Sequence, residues 1–311
     1  MSVTMITNET LKDLNANSNV EGAILCKSYS IALTKNGKEY ITGTLQSGVE
    51  IPFKIWGDAP AFMKLKTEEY TNQVVYVVGS VNDFQGTRSI IVTEIQAITD
   101  YTIDNFLPTK YDVEAYLAGL KQMVSTYGSE KCMELANEVL FNNAERIEAF
   151  KIEFAAKSHH DNCKGGLLAH TYKVVSFVGY FTKLYRFFET QDDIDLVIFG
   201  ALVHDIGKLQ EMHLGVYTKE SFVTHRYLGI EMMPKDKIVS LYSEEWWLKL
   251  VSIFLQHHGE FEDKCKTKEA YIVNQADLLD ANMTFLIQSM ENPIISEAGK
   301  RVKIDNTFLT I

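Results

Sequence analysis

The chain has 311 residues, 46% of them hydrophobic, and a net charge of −11. That is room for one large domain or two ordinary ones, with no bulk basic face for wrapping nucleic acid. No run of about 18 apolar residues occurs, so no membrane helix is expected.

The opening residues, Met1-Ser2-Val3-Thr4-Met5, lack the basic-then-apolar pattern of a signal peptide. Cys26, Cys132, Cys163 and Cys265 show no paired spacing and read as reduced thiols of a cytoplasmic protein. Any nucleic-acid contact has to be local, short or metal-assisted.

Residues 1–19 are polar and read as an arm or a first edge strand. From residue 20 to 98 the pattern is that of strands. Gly22-Ala23-Ile24-Leu25-Cys26 is a short apolar run, residues 29–34 alternate, and Asn36-Gly37 is a tight-turn signal. Residues 40–45 form the next strand, Ser47-Gly48 turns, and residues 50–56 alternate again. A helix is expected over 59–70. Residues 74–81 and 89–95 then pair around Asp83-Phe84-Gln85-Gly86. Three strands, a helix and two strands make the layout of an all-β OB-type barrel, assigned to residues 1–98.

Such barrels bind single strands by stacking bases on aromatic side chains, and the candidates are Phe53, Trp56, Tyr76 and Phe84. For Phe53 and Tyr76, filling the barrel is an equal reading. Residues 1–98 hold eight Lys and Arg against ten Asp and Glu, too neutral for strong phosphate binding. A protein-contact role for the barrel therefore also stands.

Residues 99–112, with Pro108 and the helix-starting Asp112, read as a linker, and residues 113–311 as an all-α bundle. Apolar spacing predicts helices over 113–127 and 130–141, separated by Gly128-Ser129, and over 144–157. The next helix carries His170 and runs through Phe181. Residues 195–204 are the most apolar and read as the central helix, ended by Gly207 so that His204-Asp205 lies exposed at its terminus. Trp246 and Trp247 read as packing. The tail, residues 300–311, ends in a strand-like piece.

Against these patterns stand His170, His204, Asp205, His225, His257, His258 and Asp277. A single histidine on an apolar face is ordinarily a core residue with satisfied ring nitrogens. Five imidazoles and two carboxylates need many such explanations, because each unpaired buried polar group costs kilocalories. One metal centre satisfies them together, since imidazole and carboxylate suit divalent first-row ions. The mixed set points to Mn²⁺, with Fe²⁺ or Co²⁺ as alternatives. Zn²⁺ prefers four-coordinate sites and Mg²⁺ prefers oxygen ligands. His159, His160, Asp161, Glu260 and Asp280 are either supports of this centre or loop and surface groups, and His213 reads as a surface residue.

The order His170, His204-Asp205, Asp277, within Gly165-Gly166-Leu167-Leu168-Ala169-His170, His204-Asp205-Ile206-Gly207-Lys208 and Ala276-Asp277-Leu278-Leu279-Asp280, resembles the HD-domain phosphohydrolases. With the barrel in front, nearly the whole chain is similar to the YhaM-type 3′→5′ exoribonucleases, including residues 36–56 and Ala155-Ala156-Lys157-Ser158-His159-His160. It departs from that family around His225, where Phe222-Val223-Thr224-His225-Arg226 lacks the usual glycine. It departs again in a shorter loop after His258, and at Asn274, where the family has a histidine.

The resemblance implies that His170, His204, Asp205 and Asp277 hold one ion, and that Asp205 bridges to a second held by His225, His257 and His258. Two ions about 3.5–4 Å apart activate a shared hydroxide and draw the phosphoryl oxygen. Lys208 either neutralises the phosphate or is a solvated helix-end lysine. The implied activity is release of nucleoside 5′-monophosphates from single-stranded RNA, or DNA, by a homo-oligomer. The alternative is a phosphohydrolase of mononucleotides or cyclic dinucleotides in which the barrel serves assembly.

Overall fold

The computed structural model describes residues 3–310 except 85–86, 157–160, 187, 260–262, 292–293, 297–298 and 305–306. For residues 8, 291, 294–296, 299, 303–304 and 307–308 it describes the backbone alone. The chain divides into two compact units, Met1–Thr109 and Lys110–Ile311.

The first unit begins with an edge pairing of the expected kind, a parallel bridge of Met5 with Ala23, followed by a short helix that was not expected, α1 (Asn8–Asp13). Thr7 caps it by accepting from the Thr10 amide, and Ile6, Leu11 and Leu14 are buried. Three apolar anchors are enough to fix an otherwise polar stretch. Five strands follow: β1 (Asn19–Leu33), β2 (Glu39–Ser47), β3 (Val49–Trp56), β4 (Gln73–Phe84) and β5 (Thr87–Ala97), with α2 (Pro60–Thr67) between β3 and β4.

They close into a barrel in the order β1-β2-β3-β5-β4. Closure depends on the length of β1. Its first half pairs with β4 and its second half with β2, and a register shift between Cys26 and Ser28 bends it from one partner to the other. The parallel pairing of β3 with β5, Phe53 opposite Ile90, closes the other seam.

Phe53 is fully buried in the barrel core and has no face left for a base, which corrects its candidacy as a stacking residue. The ring lies over Gly43, where an added Cβ would come within 2.6 Å of it and 2.2 Å of the Ser28 carbonyl. Trp56 is 40% exposed and rests on Tyr40, with ring centroids 5.4 Å apart. Tyr76 is half-buried and donates its hydroxyl to Glu21. Phe84 is exposed at the end of β4; the expected turn residues Gln85 and Gly86 lie outside the described residues. Residues 99–109 belong to this unit, with Phe106 buried and its carbonyl accepting from the Gly48 amide at 2.8 Å.

The second unit is helical. α3 (Val113–Tyr127) and α4 (Glu130–Ala136) are each started by a capping side chain, Asp112 and Ser129. The expected helix over 130–141 changes to a wider π-type turn over Asn137–Phe141, marked by the Asn142 amide reaching the Asn137 carbonyl. α5 (Ala144–Ile152), α6 (Gly166–Tyr185) and α7 (Gln191–Val203) follow. Every residue of α7 from Asp195 to Val203 is buried, as expected for a helix apolar on all sides. Asp195, its one buried charge, accepts from the Ser129 amide, Gln191 and the Tyr242 hydroxyl at 2.8–2.9 Å.

The remaining elements are α8 (Lys208–Glu211), a hairpin of β6 (Met212–His213) and β7 (Val216–Tyr217), α9 (Thr224–Glu231), α10 (Lys235–Leu241), α11 (Glu244–Gln256) and α12 (Lys268–Glu291). Trp246 and Trp247 are buried packing residues of α11. The tail forms a three-stranded sheet of β8 (Ile294–Ser296), β9 (Gly299–Ile304) and β10 (Thr307–Thr310), with β9 central.

The Phe53 assignment has a direct test. Phe53→Ala should cost the barrel unit about 3–5 kcal/mol, the usual range for a truncated core aromatic, read from chemical unfolding. An unchanged midpoint would contradict the core position of the ring.

Candidate metal centre

His204 and Asp205 follow immediately on α7, in the tight turn that leads through Gly207 to α8. They are buried, 0% and 3% exposed, not open to solvent as the helix-terminus reading implied. Cover comes from α9, whose backbone crosses Gly207 so closely that a Cβ there would lie 1.9 Å from the His225 carbonyl oxygen. This crossing brings His225 to Asp205. The end of α11 adds His257 and His258, α6 adds His170, and α12 adds Asp277.

The two oxygens of Asp205 face two groups of nitrogens. Toward Oδ2 lie His170 Nε2 at 3.6 Å and His204 Nε2 at 3.5 Å. His170 Nε2 is in turn 3.2 Å from Asp277 Oδ1. Toward Oδ1 lie His225 Nε2 at 3.5 Å and His257 Nε2 at 3.6 Å. The His258 ring stands 5.2 Å from His225 and 4.2 Å from His257, centroid to centroid. In each group, His170-His204-Asp205 and Asp205-His225-His257-His258, one ligand atom per residue lies within 4.8 Å of all the others. All seven predicted ligand residues are thus brought together.

Each buried imidazole is held by its other nitrogen. His204 Nδ1 donates to the Ala201 carbonyl at 2.8 Å, and His257 Nδ1 to the Phe254 carbonyl at 2.9 Å. His170 Nδ1 meets Asp280 Oδ2 at 2.7 Å, and His225 Nδ1 meets Glu211 Oε2 at 3.0 Å. Placing the proton on Nδ1 of His204, His225 and His257 leaves the Nε2 lone pairs of these three rings directed inward. Asp205 Oδ1, His225 Nε2 and His257 Nε2 are buried without a hydrogen-bond partner among the described residues. Three unsatisfied acceptors converging on one point cost about 1–3 kcal/mol each, and a cation between them removes that cost. The donor set fits a divalent metal.

Electrostatics agree. Burial would raise the Asp205 carboxyl, but the Lys208 ammonium beside it holds it well below the usual carboxylate range. Asp277 is likewise held low by His170 against its burial. Burial pushes His204 down to about 4, so it is neutral. His170 is the opposite case: burial opposes its charge, but Asp277 and Asp280 override it and raise its pKa to about 10.

Lys208 is no solvated helix-end lysine. Its ammonium donates to Asp205 Oδ2 at 2.6 Å and to the Ala155 carbonyl at 2.7 Å. Asp280 orients His170, as one of its two expected readings had it. Asp161 is buried and bonded to Lys173 at 2.8 Å, one shell further out. Asn274 donates to the His257 carbonyl at 2.6 Å, and His213 is exposed. His159, His160 and Glu260 lie outside the described residues. Sequence reasoning missed Glu211, 14 positions before His225 and on no shared periodicity with it. It also missed Lys173, whose signal was a charge one turn from His170 in an apolar helix.

Residues 167–282 match the HD domain family model. Over most of its length the chain is similar to proteins named 3′-5′ exoribonuclease YhaM. The protein of Oceanobacillus iheyensis is 27% identical over 288 residues, 87% of this chain and 86% of that one. The Bacillus subtilis protein is 28% identical over 306 residues, 91% of each, and that of Listeria welshimeri 24% over 315, 94% of each. A chain from a solved Replication Protein A heterotrimer bound to ssDNA aligns with 32% of this chain and 74% of its own, at 18% identity and a TM-score of 0.22; that likeness is too slight to carry an argument.

A cation that takes His170 Nε2 must displace the proton held there. Mn²⁺ affinity should therefore rise with pH from 7 toward 10, by up to about tenfold per unit for one released proton. Binding heats should also vary with the ionisation enthalpy of the buffer. Calorimetry showing neither dependence would contradict the charged state of His170.

Proposed function

We infer that this chain is a metal-dependent 3′→5′ exoribonuclease of the YhaM kind, hydrolysing single-stranded RNA from its 3′ end to nucleoside 5′-monophosphates. One observation carries the reading: a single buried carboxylate, Asp205, turns each of its oxygens to a separate set of inward-facing imidazoles. The end-to-end similarity to YhaM proteins, covering barrel and helical units alike, supports the substrate class.

In this reading His170, His204, Asp205 and Asp277 hold one ion, and Asp205, His225, His257 and His258 the other, Mn²⁺ being the best match to a mixed imidazole and carboxylate set. Such a pair supplies Lewis acidity to the phosphoryl oxygens and lowers the pKa of a nearby water.

The chain's own residues do the rest. Asp205 stays ionised and fixes the spacing of the two half-sites. The imidazoles, pinned at Nδ1, keep their geometry without reorganising. Lys208 has three N–H donors and spends two on Asp205 and Ala155. The third is available to a non-bridging phosphoryl oxygen as negative charge gathers there. Asp277, with 18% of its side chain exposed, and the half-buried His258 mark the side on which the centre opens to substrate. Water attacks phosphorus, the bond to the 3′ oxygen breaks, and the shortened strand leaves with a free 3′ hydroxyl.

The barrel unit takes the role of a strand-binding domain, with Trp56, Tyr76 and Phe84 as its base-contacting aromatics. Homo-oligomerisation belongs to the same reading and is supported by Met283, Ile287 and Met290, an exposed apolar stripe on α12. The location proposed is the cytoplasm. No helix among the described residues is long and apolar enough to cross a membrane.

A 5′-labelled single-stranded RNA incubated with the protein and Mn²⁺ should give a ladder of products shortened from the 3′ end. Loss of an outer partner of a metal ligand costs 10–100-fold, so His204→Ala should cost more than about 100-fold. Turnover of mononucleotides or cyclic dinucleotides with no shortening of RNA would replace this reading with a small-nucleotide phosphohydrolase.

A further inference from the structure

Lys173 lies one turn beyond His170 on α6 and is outside the ligand set. Its ammonium is 2.8 Å from Asp280 Oδ1, 2.8 Å from Asp161 Oδ2 and 3.1 Å from Thr284 Oγ1. Three donors thus meet three oxygens. Each carboxylate uses its other oxygen elsewhere: Asp280 Oδ2 on His170 Nδ1 at 2.7 Å, Asp161 Oδ1 on the Tyr111 hydroxyl. Both are buried, 2% and 0% exposed. Asp161, His170 and Asp280 come close enough together to resemble a third cation site, but the cation between the two carboxylates is the ammonium of Lys173.

A parallel with Lys208 gives this network its meaning. Lys208 joins the Ala155 carbonyl to Asp205. Lys173 joins Asp161 to Asp280. The two ends of the connection from residue 155 to 161 are therefore each fastened by a lysine that also fastens a carboxylate of the metal centre.

We propose that Lys173 is a positioning residue of the first half-site. It keeps Asp280 aimed at His170, so that His170 Nε2 faces Asp205 and Asp277, and it ties Asp161 to the same carboxylate. Without it, Asp161 and Asp280 are two buried like charges side by side. Asp280 then loses the ammonium that fixes its Oδ1, and its aim at His170 loosens. Loss of a partner that orients a ligating imidazole lowers metal affinity 10–100-fold. The second half-site, whose imidazoles rest on Glu211 and the Phe254 carbonyl, is untouched.

This inference rests on the two-ion reading, and calorimetric titration of the full chain with Mn²⁺ alone separates the two. In a His225→Ala background, which leaves the first half-site, Lys173→Met should weaken Mn²⁺ binding 10–100-fold. In a His170→Ala background, which leaves the second, it should change affinity by less than about twofold, within that same outer-partner logic. Lys173→Arg keeps the charge but not the three-way fit, so in the His225→Ala background it should recover part of the loss. Asp161→Asn, milder on the fold, should give a smaller loss in the same half-site.

Equal weakening in both backgrounds, or none in the His225→Ala background, would overturn the role of Lys173 while leaving the two-ion reading in place. A wild-type chain that binds no Mn²⁺ would overturn both.

Discussion

Asp205 is a carboxylate with almost no access to water, and the helical unit is arranged around keeping it charged. An isolated buried anion is too costly to survive. Here the Lys208 ammonium sits on one oxygen at 2.6 Å and supplies the countercharge. The arrangement needs backbone to come in close, and Gly207 provides for this by letting α9 cross the turn after α7. A side chain there would push His225 away from Asp205. The fully apolar α7 serves the same end: it is clamped on all sides and delivers the His204-Asp205 pair to a fixed place.

The way the imidazoles are held follows from helix geometry. The last turn of a helix has carbonyls without intrahelical partners. His204 and His257 come just after α7 and α11, and each takes such a carbonyl, from Ala201 and Phe254. His170 and His225 lie near the starts of α6 and α9, where spare groups are amides, which cannot accept the Nδ1 proton. These two rings recruit carboxylates instead, Asp280 and Glu211. The resulting acids need countercharge in their turn. Lys173 supplies it to Asp280, and the amide of His225 itself donates to Glu211 at 2.9 Å.

Under the proposed function, a chain of net charge −11 would meet a polyanion through positive charge placed locally, in bound cations and Lys208, with the near-neutral barrel offering aromatic surface. Stacking tolerates any base, which would suit stepwise removal of successive nucleotides.

Much of this could be read along the chain. Alternation and turn residues foretold five strands with a helix after the third, and the 3.6-residue spacing foretold α3, α6 and α7, because each depends on neighbours a few positions away. The ligand residues stood out because imidazole and carboxylate are out of place on apolar faces. Only the fold decided that Phe53 points inward, since both faces of an alternating strand look alike until the barrel closes. Only the fold decided that His204-Asp205 is covered, since the cover comes from α9. Glu211, Lys173 and Asp161 became partners of the centre through crossings 12 to 110 residues apart along the chain. Sequence pattern records which groups want partners. The partners themselves are fixed by where distant segments cross, and that is a property of packing in three dimensions.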